Sequence, residues 1–255
     1  MSLLDALLIL VAGFAAGGMN ALAGGGTFFS FPALLAVGLP PVTANATNAV
    51  ALWPASLAGA WAARPSLRGL GSYLLPLLLV GLVGGAAGGI LLLVSGDDLF
   101  SNLIPWLLLV ATLLFAASPW LSRWLAKRRR TTDDKVRHSV PALLGHGLVS
   151  IYGGYFGAGM GILQLAAFSI EGHALNRANA LKNLFSAMIY TVASLTFIIA
   201  GRVSWSELLV LLAGATLGGY AGGALGERLP PAFLRALVLV VGGGMTLYYF
   251  WKVYA

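Results

Sequence analysis

Two clusters of polar residues sit inside otherwise apolar stretches, Asn45, Thr47 and Asn48 in VTANATNAV and Asn179, Lys182 and Asn183 in RANALKNLF. Each follows a run of glycines: Gly24, Gly25 and Gly26 before the first, Gly157, Gly159 and Gly161 before the second. Amides and hydroxyls donate hydrogen bonds, and lysine adds a fixed positive charge. Glycines that break a helix turn the amides and positive dipole end of the following helix toward a ligand. These twelve residues together offer the chemistry of anion binding.

Each has a plainer competing role. Small residues let membrane helices pack closely, and intramembrane Asn and Thr often bond between helices for about 1 kcal/mol. Close packing accounts well for Gly84, Gly88, Gly218 and Gly222. It accounts less well for the two glycine runs, which abut segments too short to span a bilayer. Lys182 is the most telling of the set, because an ammonium inside a span is costly and normally faces a partner or a wet cavity. The alternative is a snorkelling side chain, with Arg177 five residues away.

Other titratable groups offer less. Glu171 and His173, in EGHALNR, could form a proton-responsive pair at a cavity mouth, since imidazole titrates near neutrality. His146, Gln164 and Tyr152 flank the second glycine run and are weaker candidates. With no cysteine, three histidines and eight acidic residues, no thiol nucleophile, Ser-His-Asp set, paired carboxylate site or clustered metal ligands can be assembled. The expectation is a non-enzyme without cofactor or metal.

The elements that position these residues are membrane helices. The chain has 255 residues, 59% hydrophobic and 9% charged, far more apolar than a soluble domain. Leu74 to Val94 and Leu103 to Leu121 are uncharged throughout. A net charge of +7 does not signal nucleic acid, because seven of the fifteen basic residues lie in one loop, Arg123 to Arg137, which reads as an anchor on anionic lipid. MSLLDALLIL has no basic n-region, so it reads as a first membrane segment rather than a cleaved signal.

In order, Leu3 to about Leu22 is long enough to cross, and Thr27 to Val37 covers about half a bilayer. Pro40, Pro41 and Thr43 start a helix running from Val42 to Ala63, closed by Arg64 and Arg68. Leu70 to Val94 and Leu99 to Leu121 follow, separated by a turn at Gly96, Asp97 and Asp98. The second half comprises Val140 to about Ala158, the break Gly157 to Gly161, a short piece Ile162 to Ile170, then Asn176 to Ala200, Ser204 to Gly226 and Pro231 to Tyr254.

The halves repeat. Gly24 and Gly26 recur as Gly159 and Gly161, 135 residues on; Ala44-Asn45-Ala46 recurs as Ala178-Asn179-Ala180, 134 on; and GGAAGG at Gly84 to Gly89 recurs as GGYAGG at Gly218 to Gly223. The expected fold is an all-α polytopic membrane protein of two duplicated repeats, each with about four long transmembrane helices plus one short broken or half helix. Residues 1–125 form the first repeat, 126–139 a basic cytoplasmic linker and 140–255 the second repeat. If the short pieces count as crossings, the repeats are inverted and only Arg202 and Lys252 lie on the outer side, which the positive-inside rule favours.

AGGGTFFSFPALLAVGLPPVTANAT, recurring as GAGMGILQLAAFSIEGHALNRANALKN, resembles the sulfite exporter TauE/SafE family of membrane permeases over nearly the whole chain. Gly24 to Gly26, Pro32 to Leu35, Gly38 and Ala44 to Thr47 carry the pattern. The second copy departs from it at Met160, Ala167 and Leu181. The resemblance implies a permease moving a small organic or sulfur-containing anion, such as sulfite, a sulfonate or a carboxylate, across a bacterial cytoplasmic (inner) membrane. The expected partners are that anion, membrane lipid and a coupling proton or sodium ion, with no nucleic acid. An anion channel and a non-transporting membrane assembly subunit are the alternatives.

Overall fold

A computed structural model describes residues 1–22, 25–127, 139–225 and 231–254. Gly24, most of the basic linker and Arg228 lie outside the described residues. Nine α-helices are described: α1 (Leu3–Leu22), α2 (Thr27–Ala36), α3 (Pro41–Ala63), α4 (Gly71–Lys127), α5 (Val140–Tyr155), α6 (Met160–Ile170), α7 (Leu175–Ile199), α8 (Trp205–Leu225) and α9 (Pro231–Tyr254). No strand is present among the described residues. Among the described residues, four stretches are long and apolar enough to cross a membrane: Leu3–Asn20, Tyr73–Leu121, Asn176–Ile199 and Arg235–Tyr254.

α4, at 57 residues, is two helices joined at Gly96, whose φ of 68° and ψ of 174° are not helical. The expected turn at Gly96, Asp97 and Asp98 is therefore present, and it divides α4 into arms 71–95 and 97–127. Asp97 serves the neighbouring helix as well, since its Oδ1 accepts the Val42 N–H at 2.8 Å. Val42 lies in the first turn of α3, where amides have no partner within the helix.

Both short helices end in the same way. At α2 the Leu39 N–H reaches Leu34 O and Gly38 takes φ 89°; at α6 the His173 N–H reaches Phe168 O and Gly172 takes φ 98°. This is a left-handed helix stop, and glycine meets its conformation without strain. The chain then reverses into α3 and α7, so α2–α3 and α6–α7 are helical hairpins.

Glycine sets how closely the helices approach. A Cβ at Gly17 would stand 1.9 Å from Ala215 O, and one at Gly218 1.9 Å from Phe14 O, so α1 and α8 touch backbone to backbone and run parallel. Arm 71–95 meets α5 likewise, with Gly88 against Ile151 O at 2.1 Å and Gly154 against Gly85 O at 2.2 Å. Without a hydrophobic force between helices in lipid, such close packing is the main source of association. Other pairs are antiparallel. Trp53 Nε1 donates to Thr191 Oγ1 at 2.8 Å and Asn183 Nδ2 to Gly59 O at 3.5 Å, which sets α3 against α7. Arg235 bonds Ala116 O, and Tyr254 bonds Asn102 O, which sets arm 97–127 against α9.

The outer surface is apolar, with Leu3, Val83, Val94, Ile199, Tyr220, Val240 and Trp251 strongly exposed. Thr27, Ser30, Asn45, Thr47, Asn48, His146, Gln164 and Ser194 are buried instead. Lipid-facing hydrocarbon around a partly polar interior is the pattern of a multi-pass membrane protein.

Candidate functional site

The two breaks come together in the interior. Gly25, at φ 92°, and Gly159, at φ 75°, lie against the same face of arm 97–127: Phe115 stands 2.9 Å from where a Cβ of Gly25 would be, and Ala111, one turn earlier, 3.6 Å from that of Gly159. Tyr190 of α7 joins them from the other side. Its hydroxyl interacts with the Thr27 side chain and lies 2.9 Å from the Cβ position of Gly157. Phe31 of α2 packs edge to face on Phe156, the residue that ends α5.

Around the first break the polar groups form a connected set. Asn20 Oδ1 accepts the Gly26 N–H at 3.2 Å, and the Ser30 hydroxyl lies within reach of two acceptors for its one proton, Gly26 O at 3.1 Å and Asn48 Oδ1. Asn48 Nδ2 in turn donates to Thr27 Oγ1 at 3.4 Å. Asn45, one turn earlier on α3, reaches the other break, its Nδ2 donating to Tyr155 O at 2.9 Å while its buried Oδ1 has no partner among the described residues. A helix carrying Asn45 and Asn48 on one face thus touches both breaks, as the spacing of three residues allows.

Around the second break, Tyr152 donates to Ala158 O at 2.5 Å. Lys182 turns toward the start of α6, with its Cδ 3.6 Å from the Cβ position of Gly161. Among the described residues its ammonium has no hydrogen-bond or ion-pair partner. Gln164, one turn into α6, accepts from Ser186 Oγ at 2.6 Å, and its Nε2 is buried without a described partner.

Three of the twelve candidates lie elsewhere. Thr47 Oγ1 accepts the Ser204 N–H at 3.0 Å and so ties α3 to the start of α8. Asn183 bonds α3 at Gly59, and Asn179 is exposed. Gly24 is outside the described residues. The helix starts are also less open than broken helices alone imply, because the amides of Phe28, Phe29, Met160 and Ile162 return to carbonyls of Gly25, Gly26, Gly157 and Gly159. Side chains therefore supply more of the donor capacity than the sequence pattern indicates.

Glu171 reaches groups far from it in sequence. Its Oε1 meets His146 Nε2 at 2.5 Å and its other oxygen accepts from Tyr73 at 2.5 Å, while the His173 ring packs edge-on to Tyr73. Sequence reasoning also passed over Tyr190, which carries no local signal within an apolar helix.

A family profile described as sulfite exporter TauE/SafE matches residues 9–249. The chain belongs to the sulfite exporter TauE/SafE family. Relatives agree with this placement. A probable membrane transporter protein of Haemophilus influenzae is 30% identical over 95% of this chain and 94% of its own length. The probable membrane transporter protein YfcA of Escherichia coli is 29% identical over 91% and 84%, and the probable membrane transporter protein ORF9 of a Sinorhizobium species 26% over 94% and 90%. No solved structure matches the chain. The TauE/SafE assignment and the relatives' names indicate a membrane transporter rather than an enzyme.

Proposed function

We propose that this protein is a secondary transporter of the bacterial inner membrane that moves a small organic or sulfur-containing anion such as sulfite, a sulfonate or a carboxylate. The observation that carries the reading is the meeting of the two breaks at Thr27, Tyr190 and Gly157, with Asn45 and Asn48 on one side and Lys182 on the other. Hydroxyl and amide donors with one unneutralised ammonium favour an anion over a cation, and hydrogen bonds to charged groups are about twice as strong as neutral ones.

The site belongs to an architecture of two inverted repeats. Corresponding helices of the two halves, α3 with α7 and arm 97–127 with α9, pack antiparallel, as a two-fold axis in the membrane plane requires. The parallel pairs α1 with α8 and α5 with arm 71–95 correspond in the same way. With the basic linker in the cytoplasm, the N-terminus is outside. The site then sits where one repeat can rock against the other and open to either face in turn.

Counterflow in proteoliposomes tests this. Vesicles preloaded with sulfite, sulfoacetate, taurine or acetate are given the same labelled compound outside. Saturable exchange of a panel anion is expected. Non-saturable flux would indicate a channel, and no flux with any panel member would remove the transport reading.

A further inference from the structure

At the open end of the α5–α6 hairpin, away from the breaks, three polar side chains meet inside an apolar shell. His146 is fully buried, with its ring 4.6 Å from Phe168 and 5.4 Å from Phe185, centroid to centroid. Its Nε2 lies 2.5 Å from Glu171 Oε1, and Tyr73 donates to Glu171 Oε2. Glu171 is 10% exposed and lines a cavity of about 490 Å³ with Ser139, Pro141, Ala142 and Ile170. A buried imidazole is thus separated from solvent by one carboxylate that reaches it.

We propose that the His146–Glu171 pair, held by Tyr73, binds the proton that is coupled to anion transport. The inference rests on the transporter reading above and names its coupling ion. With neutral imidazole the pair carries a net charge of −1; adding one proton from the cavity gives imidazolium beside carboxylate, or neutral imidazole beside carboxylic acid, with net charge 0. Tyr73 stays a neutral donor in both states.

Charges in a low-dielectric interior interact over long distances. His146 is eleven residues before Gly157, roughly 16 Å along a helix, so loss of one negative charge there favours an anion at the breaks. Linkage is reciprocal, so the bound anion favours the proton equally. The result is co-transport of anion and proton in the same direction.

The neighbouring elements add charges without replacing this pair. His173, in the α6–α7 loop, packs edge-on to Tyr73, Arg177 is in the first turn of α7, and Lys182 lies farther along that helix. Arg64 and Arg68, around the turn that precedes α4, are exposed, and Arg64 stacks on Trp61. α5 itself carries no other charged side chain. Glu171 is therefore the acidic group facing His146 from these elements.

The test uses the full-length protein in proteoliposomes, with sulfoacetate as the first probe and taurine, sulfite and acetate as the rest of the panel. Counterflow at equal pH reports anion exchange, and uptake into vesicles with an acidic exterior reports proton coupling. Glu171→Gln and His146→Gln should keep counterflow within about threefold of the unaltered protein and lose at least tenfold of the uptake driven by the pH gradient, with Glu171→Asp recovering part of it. Gradient-driven uptake intact in both Gln variants overturns the proton site and leaves the transporter reading standing. Absence of counterflow with every panel member in the unaltered protein removes both. Should the variants lose counterflow as well, calorimetry of sulfoacetate binding to the unaltered protein in two buffers of different ionisation enthalpy decides: proton uptake on binding supports the pair, and no proton uptake overturns it.

Discussion

The rings of Phe31 and Phe156 meet edge to face, with centroids 5.5 Å apart and planes at 85°. Phe31 belongs to the first short helix and Phe156 to the second break, so this contact clasps one half of the chain to the other beside the candidate site. Both are buried. Phe31→Ala is expected to cost about 3–5 kcal/mol of stability. A double-mutant cycle with Phe156→Ala should return a coupling of about 0.5–1.5 kcal/mol, measured by reversible unfolding in mixed detergent. A coupling of zero would mean that the two breaks are energetically independent.

Asn48 and Asn179 should separate in their effects. Asn48→Leu removes the hydrogen bonds that Asn48 makes with the buried hydroxyls of Ser30 and Thr27, at a cost of about 0.5–1.5 kcal/mol each, and removes a donor from the site. Asn179→Leu alters only an exposed position. Thermal stability in detergent should fall clearly for the first and little for the second, and sulfoacetate counterflow should follow the same order. Equal loss in both would place Asn179 on the pathway as well.

Close approach of α1 and α8 predicts a sharp contrast among glycines. Gly218→Ala puts a methyl into the Phe14 carbonyl, whereas Gly244→Ala meets nothing within 4 Å. Membrane abundance of folded protein, read by size-exclusion of tagged protein, should collapse for Gly218→Ala and stay near normal for Gly244→Ala. Normal abundance of both would show that α1 and α8 can separate at little cost.

The inverted arrangement predicts sidedness, and a chain without cysteine lets single introduced thiols report it. Ser66 and Arg202 are both exposed, after α3 and α7 respectively, and should lie on opposite faces. In intact cells a membrane-impermeant maleimide should label Arg202→Cys and reach Ser66→Cys only after permeabilisation. Labelling of both from one side would contradict inversion.

Much of the helix layout was legible because glycine, proline and apolar run length act locally. Gly96 marked its turn, and Gly25 and Gly159 marked helix breaks whose left-handed backbone only glycine adopts easily. What joins the breaks was not legible. Tyr190 reads as one more aromatic in an apolar helix, and His146 finds Glu171 only through the fold of the α5–α6 hairpin, 25 residues away. Asn45 and Asn179 have matching sequence contexts, yet one is buried at a break and the other is exposed, because the face a membrane helix presents is set by its neighbours.

The central claim is that an anion binds where the breaks meet and that Lys182 supplies its principal positive charge. The Lys182 side chain passes the start of α6, with its Cδ 3.6 Å from the Cβ position of Gly161, and a charge inside a helix span costs about 2.5–3.5 kcal/mol on insertion scales. Lys182→Gln keeps a donor and nearly the same length but removes the charge. The deciding measurement is sulfoacetate affinity of the purified protein and of Lys182→Gln, each across a range of salt, with sulfite, taurine and acetate alongside. The account predicts affinity weaker by roughly tenfold or more in the variant, in keeping with about 1.5–3 kcal/mol for a hydrogen bond to a charged group, and a shallower salt dependence. Unchanged affinity together with unchanged salt dependence would contradict it.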